Sequence, residues 1–273
     1  MISKSLMTAA AASVLIAGAS AANAGVVSVK WDPAAVGLAG TAFTADNMVI
    51  ADYASAAINP VTGAFNEVGA LKISQFQLGG LGVSSPGLNS TYGLYFTFTA
   101  IGNIGGPLPT VPGGTSGAIT SLTYKLWADP AGQPTFAVSN GAVTVGNNAG
   151  AFVLASGSGG GSPTDFVSLQ YTGSAYIPSA GALATFLPCI TVNANCTANE
   201  SAFFVSPPAA IDLKLEASFT NTAGVSTLNA GNPAYLNIVA GGGNLDLLVP
   251  EPASLAIMGV GLLGLVMGRR RRV

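Results

Sequence analysis

The chain has 273 residues, with 9 Lys or Arg, 11 Asp or Glu and no His. The missing histidine excludes the usual general base, the Ser-His-Asp triad and most zinc and copper sites. Between Gly25 and Glu251 the basic residues are Lys30, Lys72, Lys125 and Lys214, set against all 11 acids. A body near −7 without arginine excludes nucleic acid as a partner and argues against electrostatic binding to anionic lipid.

The N-terminus has the parts of an export signal. Lys4 supplies the positive start, residues 6–17 form a short apolar run, and Ala22-Asn23-Ala24 precedes Gly25 as an A-x-A cleavage site. The run is too short to span a bilayer, so residues 1–24 are an address label and the body begins at Gly25.

From there the chain reads as short strands separated by Gly, Pro, Asn and Ser. Val27, Val29 and Trp31 alternate with Ser28 and Lys30. Residues 45–58 form a weak helical candidate. Residues 71–78 are a strand whose face switches near Gln75. Tyr92, Leu94, Phe96 and Phe98 alternate with polar or small residues, as do Leu122, Tyr124 and Leu126. Phe136 and Val138 lead into Asn140-Gly141 and on to Val143 and Val145. This predicts a hairpin with a type I′ turn, whose two central residues need positive φ.

Residues 152–154 and 166–171 are further strands around a glycine-rich link at 157–161. That link lacks the Gly-Lys-Ser/Thr ending of a phosphate loop and reads as a flexible linker or turn. Residues 102–117, rich in Gly and Pro, read as a long surface loop. Residues 211–220 show the cleanest period of two, and residues 235–239 and 245–248 complete the set. Gly241-Gly242-Gly243 reads as a hinge. Ten or more closely spaced strands with one apolar face imply an all-β body, a β-sandwich or jelly-roll-like fold over residues 25–248.

Cys189 and Cys196 suit one disulfide closing a small loop in an exported protein. No further Cys and no His exists to make them a metal site. Asp32, Asp46 and Asp52 lie near one another in sequence, but their spacing fits no EF-hand calcium loop and reads as solvated carboxylates. Asp129 and Asp165 offer no local support for a pair of hydrolytic carboxylates. The sequons at Asn89, Asn195 and Asn199 are formal glycosylation acceptors. Trp31 and Trp127 read as packing residues before sugar-stacking ones. No catalytic residue, metal or cofactor is expected, so the body reads as non-enzymatic. An extracellular carbohydrate-active enzyme using paired carboxylates is the alternative.

The last 25 residues organise the rest. Val249-Pro250-Glu251-Pro252 is rigid and extended, because each proline fixes its own φ and restricts the residue before it. Residues 253–268 carry no charge and span about 24 Å as a helix, short of a full hydrocarbon core unless the following side chains snorkel. Arg269, Arg270, Arg271 and Arg272 then mark the cytoplasmic side. In order and composition this tail resembles the PEP-CTERM sorting signal of Gram-negative bacteria.

The resemblance implies export, brief tethering at the inner membrane and processing by an exosortase-type membrane protease. It also implies an association with extracellular polysaccharide at the cell surface or in the extracellular matrix. Trp31-Asp32-Pro33 and Phe43-Thr44-Ala45-Asp46 resemble flocculation-associated PEP-CTERM proteins, which implies a part in biofilm or floc formation.

Overall fold

A computed structural model describes residues 25–26, 28–188, 203–206, 213–220 and 226–249. The signal peptide, Cys189 and Cys196, and the tail from Pro250 onward lie outside the described residues, as do the sequons at Asn195 and Asn199. Residues Val26–Leu248 form one compact unit.

The strands are β1 (Gly25–Val26), β2 (Val29–Trp31), β3 (Phe43–Ala45), β4 (Asn47–Ile58), β5 (Ala64–Leu78) and β6 (Leu81–Gly82). Next come β7 (Gly93–Asn103), β8 (Gly113–Asp129), β9 (Thr135–Ser139), β10 (Ala142–Gly146), β11 (Phe152–Gly159) and β12 (Phe166–Tyr171). The last are β13 (Tyr176–Pro188), β14 (Phe204–Ser206), β15 (Leu213–Thr220), β16 (Ser226–Asn229) and β17 (Ala234–Val249).

The all-β expectation holds, and the two opposed apolar faces belong to one sheet. Going round it, β4, β5, β7, β8, β11, β13, β15 and β17 are each hydrogen-bonded to the next, and β17 pairs again with β4. That last seam is antiparallel and long, from Asp246↔Asn47 to Ala234↔Ile58. The sheet is therefore a closed eight-stave barrel with up-and-down connections rather than Greek-key crossovers. β12 fills the gap that β11 leaves between β8 and β13, pairing with both.

Several segments differ from the sequence reading, each for a local reason. Residues 45–58, the helical candidate, are strands: in β4 Met48, Ile50, Ala54, Ala56 and Ile58 are buried, a period of two rather than 3.6. Alanine fits helix by propensity, but here its small side chain lets the barrel wall pack closely. The loop expected over residues 102–117 is shorter, residues 104–112, because β7 and β8 extend into its two ends.

The link at 157–161 is not a free linker. Gly157 and Gly159 lie within β11, where a Cβ at 157 would run into the Thr185 carbonyl and the Tyr124 ring. Gly160 and Gly161 make the turn, at φ +96° and +81°. Gly241-Gly242-Gly243 is no hinge either: it runs inside β17, paired to Asp52, Ala51 and Ile50 of β4.

Other expectations are met. The face switch near Gln75 is a register shift in which Val49 opposes Gln75 and Ile50 opposes Ile73. The Asn140-Gly141 hairpin forms with Ser139 opposite Ala142, although only Gly141 has positive φ (+76°), so the turn is not type I′. This hairpin lies on the barrel's outer face. Phe136 packs on Tyr53 at 4.7 Å and Tyr95 at 5.8 Å between ring centroids. The Gly141 N–H donates to Ser55 Oγ at 2.9 Å, and Asn229 and Asn237 both donate to Asn140 Oδ1.

Both ends of the barrel are filled. At the end marked by Phe76, a small sheet ordered β14-β2-β3 brings Trp31 against Phe43, Phe76, Phe203 and Phe204, with centroids 4.9–6.4 Å apart. At the β4–β5 turn, Ile58, Phe65, Ile104, Ile119, Tyr176 and Leu236 form a second apolar cluster.

Candidate functional site

Between the two plugs the barrel holds a cavity of about 80 Å³. Most of its wall is apolar, with Leu71, Phe96, Ile119, Leu122, Ile238 and Leu245 prominent. Two carboxyl groups, Asp52 and Glu67, also line it.

The β4–β5 register explains how they meet. Residues directly opposite share a face, and the pairs are Asp52↔Leu71, Ala54↔Gly69 and Ala56↔Glu67. Asp52 falls in the inward phase of β4, in step with Met48, Ile50 and Ala54. Glu67 falls in the inward phase of β5, in step with Phe65 and Leu71. Only Ala54 and Gly69 lie between the two acids on that face. Phe98 covers Gly69 so closely that any Cβ there would strike its ring. With such small residues between them, Asp52 senses the charge of Glu67.

Burial dominates the chemistry of both groups. Asp52 is 6% exposed, and its Oδ1 is fully buried and accepts no hydrogen bond. Loss of solvent drives its pKa well above the carboxylate range, and the neighbouring Glu67 pushes in the same direction. Glu67 is half-buried, and desolvation raises it to about 7. Around neutrality this pair holds protons that surface carboxyls would have released. Tyr124, also in the wall, donates its hydroxyl proton to the Thr185 carbonyl, and burial raises its pKa as well.

The other acids singled out in the sequence serve the backbone. Asp32 Oδ1 accepts from the Ala35 N–H at 3.3 Å, and Asp46 Oδ2 from the Gly79 N–H at 2.9 Å. They do not converge with Asp52, and among the described residues no cluster of three metal-ligating side chains occurs. Asp165 is buried and holds the glycine turn to the wall. Its Oδ2 accepts from Ser162 N and its Oδ1 from Leu183 N, each at 2.7 Å. Asp129, fully buried, accepts from Ala131 N at 2.9 Å.

Asn89 turns its Nδ2 onto the Ile73 carbonyl at 3.0 Å, so the atom a glycan would need is engaged. Trp31 is fully buried. Trp127 lies half-buried on the outer face, stacked on Tyr95 and donating to Thr97 Oγ1. Glu67 was not legible as a partner of Asp52. The available signal was Asp52 itself, a charged residue in step with the apolar phase of its strand.

The second functional region is the tail. The PEP-CTERM protein-sorting motif matches residues 248–272. That span takes in Val249, Pro250, Glu251 and Pro252, the apolar run, and Arg269, Arg270, Arg271 and Arg272. The chain thus carries a PEP-CTERM sorting signal. This implies export, a membrane-anchored intermediate and processing by an exosortase. No curated protein and no solved structure matches the chain.

Proposed function

We propose that this protein is a non-enzymatic component of the extracellular matrix or cell surface, delivered by exosortase sorting and associated with exopolysaccharide in biofilm or floc formation. The sorting signal at residues 248–272 is the observation that carries the reading. The body is compatible with it: it contains neither His nor Arg, and its barrel is plugged at both ends. Ser, Thr and Asn dominate the polar surface, which suits a weakly charged protein embedded in a hydrated glycan network.

Two experiments test this. Intact mass spectrometry of protein from the cell envelope and culture fluid of the native host should find an extracellular species starting at Gly25 and ending near Pro250–Pro252. A species that keeps residues 253–273 and stays in the inner membrane overturns the sorted-matrix reading. Deleting the gene should weaken floc or biofilm cohesion under polysaccharide-producing conditions, and unchanged cohesion overturns the polysaccharide role. The same mass measurement on a variant with all four arginines neutralised should show reduced retention and mis-sorting.

The pairing of Asp52 with Glu67 gives the second reading, a glycan hydrolase, its one specific support. Glycoside hydrolysis needs two carboxyls flanking a seated glycosidic bond. A cavity of about 80 Å³ is far below the roughly 300–1,000 Å³ of ordinary ligand clefts. Turnover of any polysaccharide by the purified protein, lost in Asp52→Asn or Glu67→Gln, would favour hydrolysis over the matrix role.

A further inference from the structure

The barrel interior combines two features that seldom occur together without a reason. One is a mostly aliphatic wall. The other is Asp52, a carboxyl that lines the cavity and whose Oδ1 is fully buried with no hydrogen-bond donor. A buried polar atom left unpartnered is costly, and more so for a charged group. The arrangement is built at a cost, since the register sets a second acid, Glu67, across two of the smallest side chains available.

We propose that this cavity is a binding site for a small organic ammonium ion, a primary amine carrying two or three carbons, with Asp52 and Glu67 receiving its N–H groups. This assignment is independent of the matrix role.

Three considerations select that chemistry. The first is size: an apolar protein cavity of about 150 Å³ accepts benzene, with six heavy atoms. At about 80 Å³, this one suits three or four. The second is charge. Two acids facing one space call for a cation, and an ammonium offers three donors where an alcohol offers one. A hard divalent metal needs about six oxygen ligands, and the lining described here supplies two carboxyls. The third is the wall, whose Leu71, Leu122 and Ile238 suit the carbon end of such a ligand.

Proton linkage gives the proposal a signature. The ionisable groups lining the cavity among the described residues are Asp52 from β4, Glu67 from β5 and Tyr124 from β8. Tyr124 keeps its proton in the bond to the Thr185 carbonyl. An incoming ammonium therefore has to displace a proton from the acid pair, so binding releases protons and tightens as pH rises from 5 to 8.

The test is calorimetric titration of the full-length chain in detergent with ethylammonium, with neutral 1-propanol and bulkier tetramethylammonium as controls. Runs in two buffers of different ionisation enthalpy count the protons. The expected result is saturable binding of ethylammonium alone, with proton release, weakened at least tenfold by Asp52→Asn. Ala182→Leu fills the cavity without touching either acid and should abolish binding. Circular dichroism of each variant separates loss of binding from loss of fold. Absence of saturable ethylammonium binding overturns the proposal. Equal binding of 1-propanol, or binding unchanged in folded Ala182→Leu, does so too.

Discussion

At the Phe76 end of the barrel, Trp31 meets four phenylalanine rings. Farther along β4 and β5, Asp52 and Glu67 line one largely apolar cavity. Both regions lie within the same staves. The aromatic end converts its enclosure into stability through large buried surfaces and edge and tilted ring contacts. The acidic middle gives stability up, because the same exclusion of water opposes ionisation. Enclosure is therefore neutral in itself, and the phase of one residue on a strand decides whether it helps or costs.

Substitutions can sharpen that contrast. Trp31→Ala should have the largest effect, lowering stability by about 3–5 kcal/mol, read as a shift in the urea midpoint. A loss below about 1 kcal/mol would mean that the aromatic plug is not part of the cooperative core.

The next effect is the pH dependence of the middle. Glu67 ionises near 4.5 when unfolded and at about 7 when folded, so the folded chain holds the extra proton between those values. Stability from this group is complete below pH 4.5 and falls as pH rises through 7. Asp52, raised in the same direction, carries the fall further up. The loss attributable to Glu67 is on the order of 2–3 kcal/mol. Urea midpoints at pH 4.5 and 7.5 should differ less in Glu67→Gln than in the parent. Equal differences would place Glu67 in water.

A smaller gain should follow from removing the cost outright. Asp52→Leu should stabilise the protein at pH 7.5 by about 1–2 kcal/mol, since it removes a buried polar atom that has no hydrogen-bond partner. Destabilisation would show that Asp52 has a partner in solution. The smallest effect lies outside both regions. Asn140→Ala removes the acceptor shared by Asn229 and Asn237 and should cost about 1 kcal/mol. Faster amide exchange confined to β9 and β10 is the check.

Much of this barrel could be read from the sequence, and the exceptions share a cause. β7 and the central part of β8 showed as alternating aromatic and polar residues, and the outer hairpin showed as Asn140-Gly141. β4 was hidden because Ala51, Ala54, Ala56 and Ala57 blur the contrast on which a period of two depends. The glycine runs at 157–161 and 241–243 read as loose chain, yet glycine also marks where a neighbour comes close. The Tyr124 ring against Gly157 is such an approach. The Asp52–Glu67 pair could not be read at all. The two acids are brought together by the register of β4 on β5, which the bulge at Val49/Ile50 and the turn at residues 59–63 set jointly.

The seam between β17 and β4 bears on the order of events during export. β4 lies near the start of the exported body and β17 at its end, with its final residue next to Pro250. If the chain crosses the membrane from the N-terminus, the early staves emerge first and stand as an open sheet whose β4 edge has no partner. Such an edge is an invitation to pair with another chain. Only when the strand adjoining the sorting signal has passed can the ring shut. Completion of the barrel and arrival of the tail thus coincide, and a chain truncated before Ala234 would leave the β4 edge open.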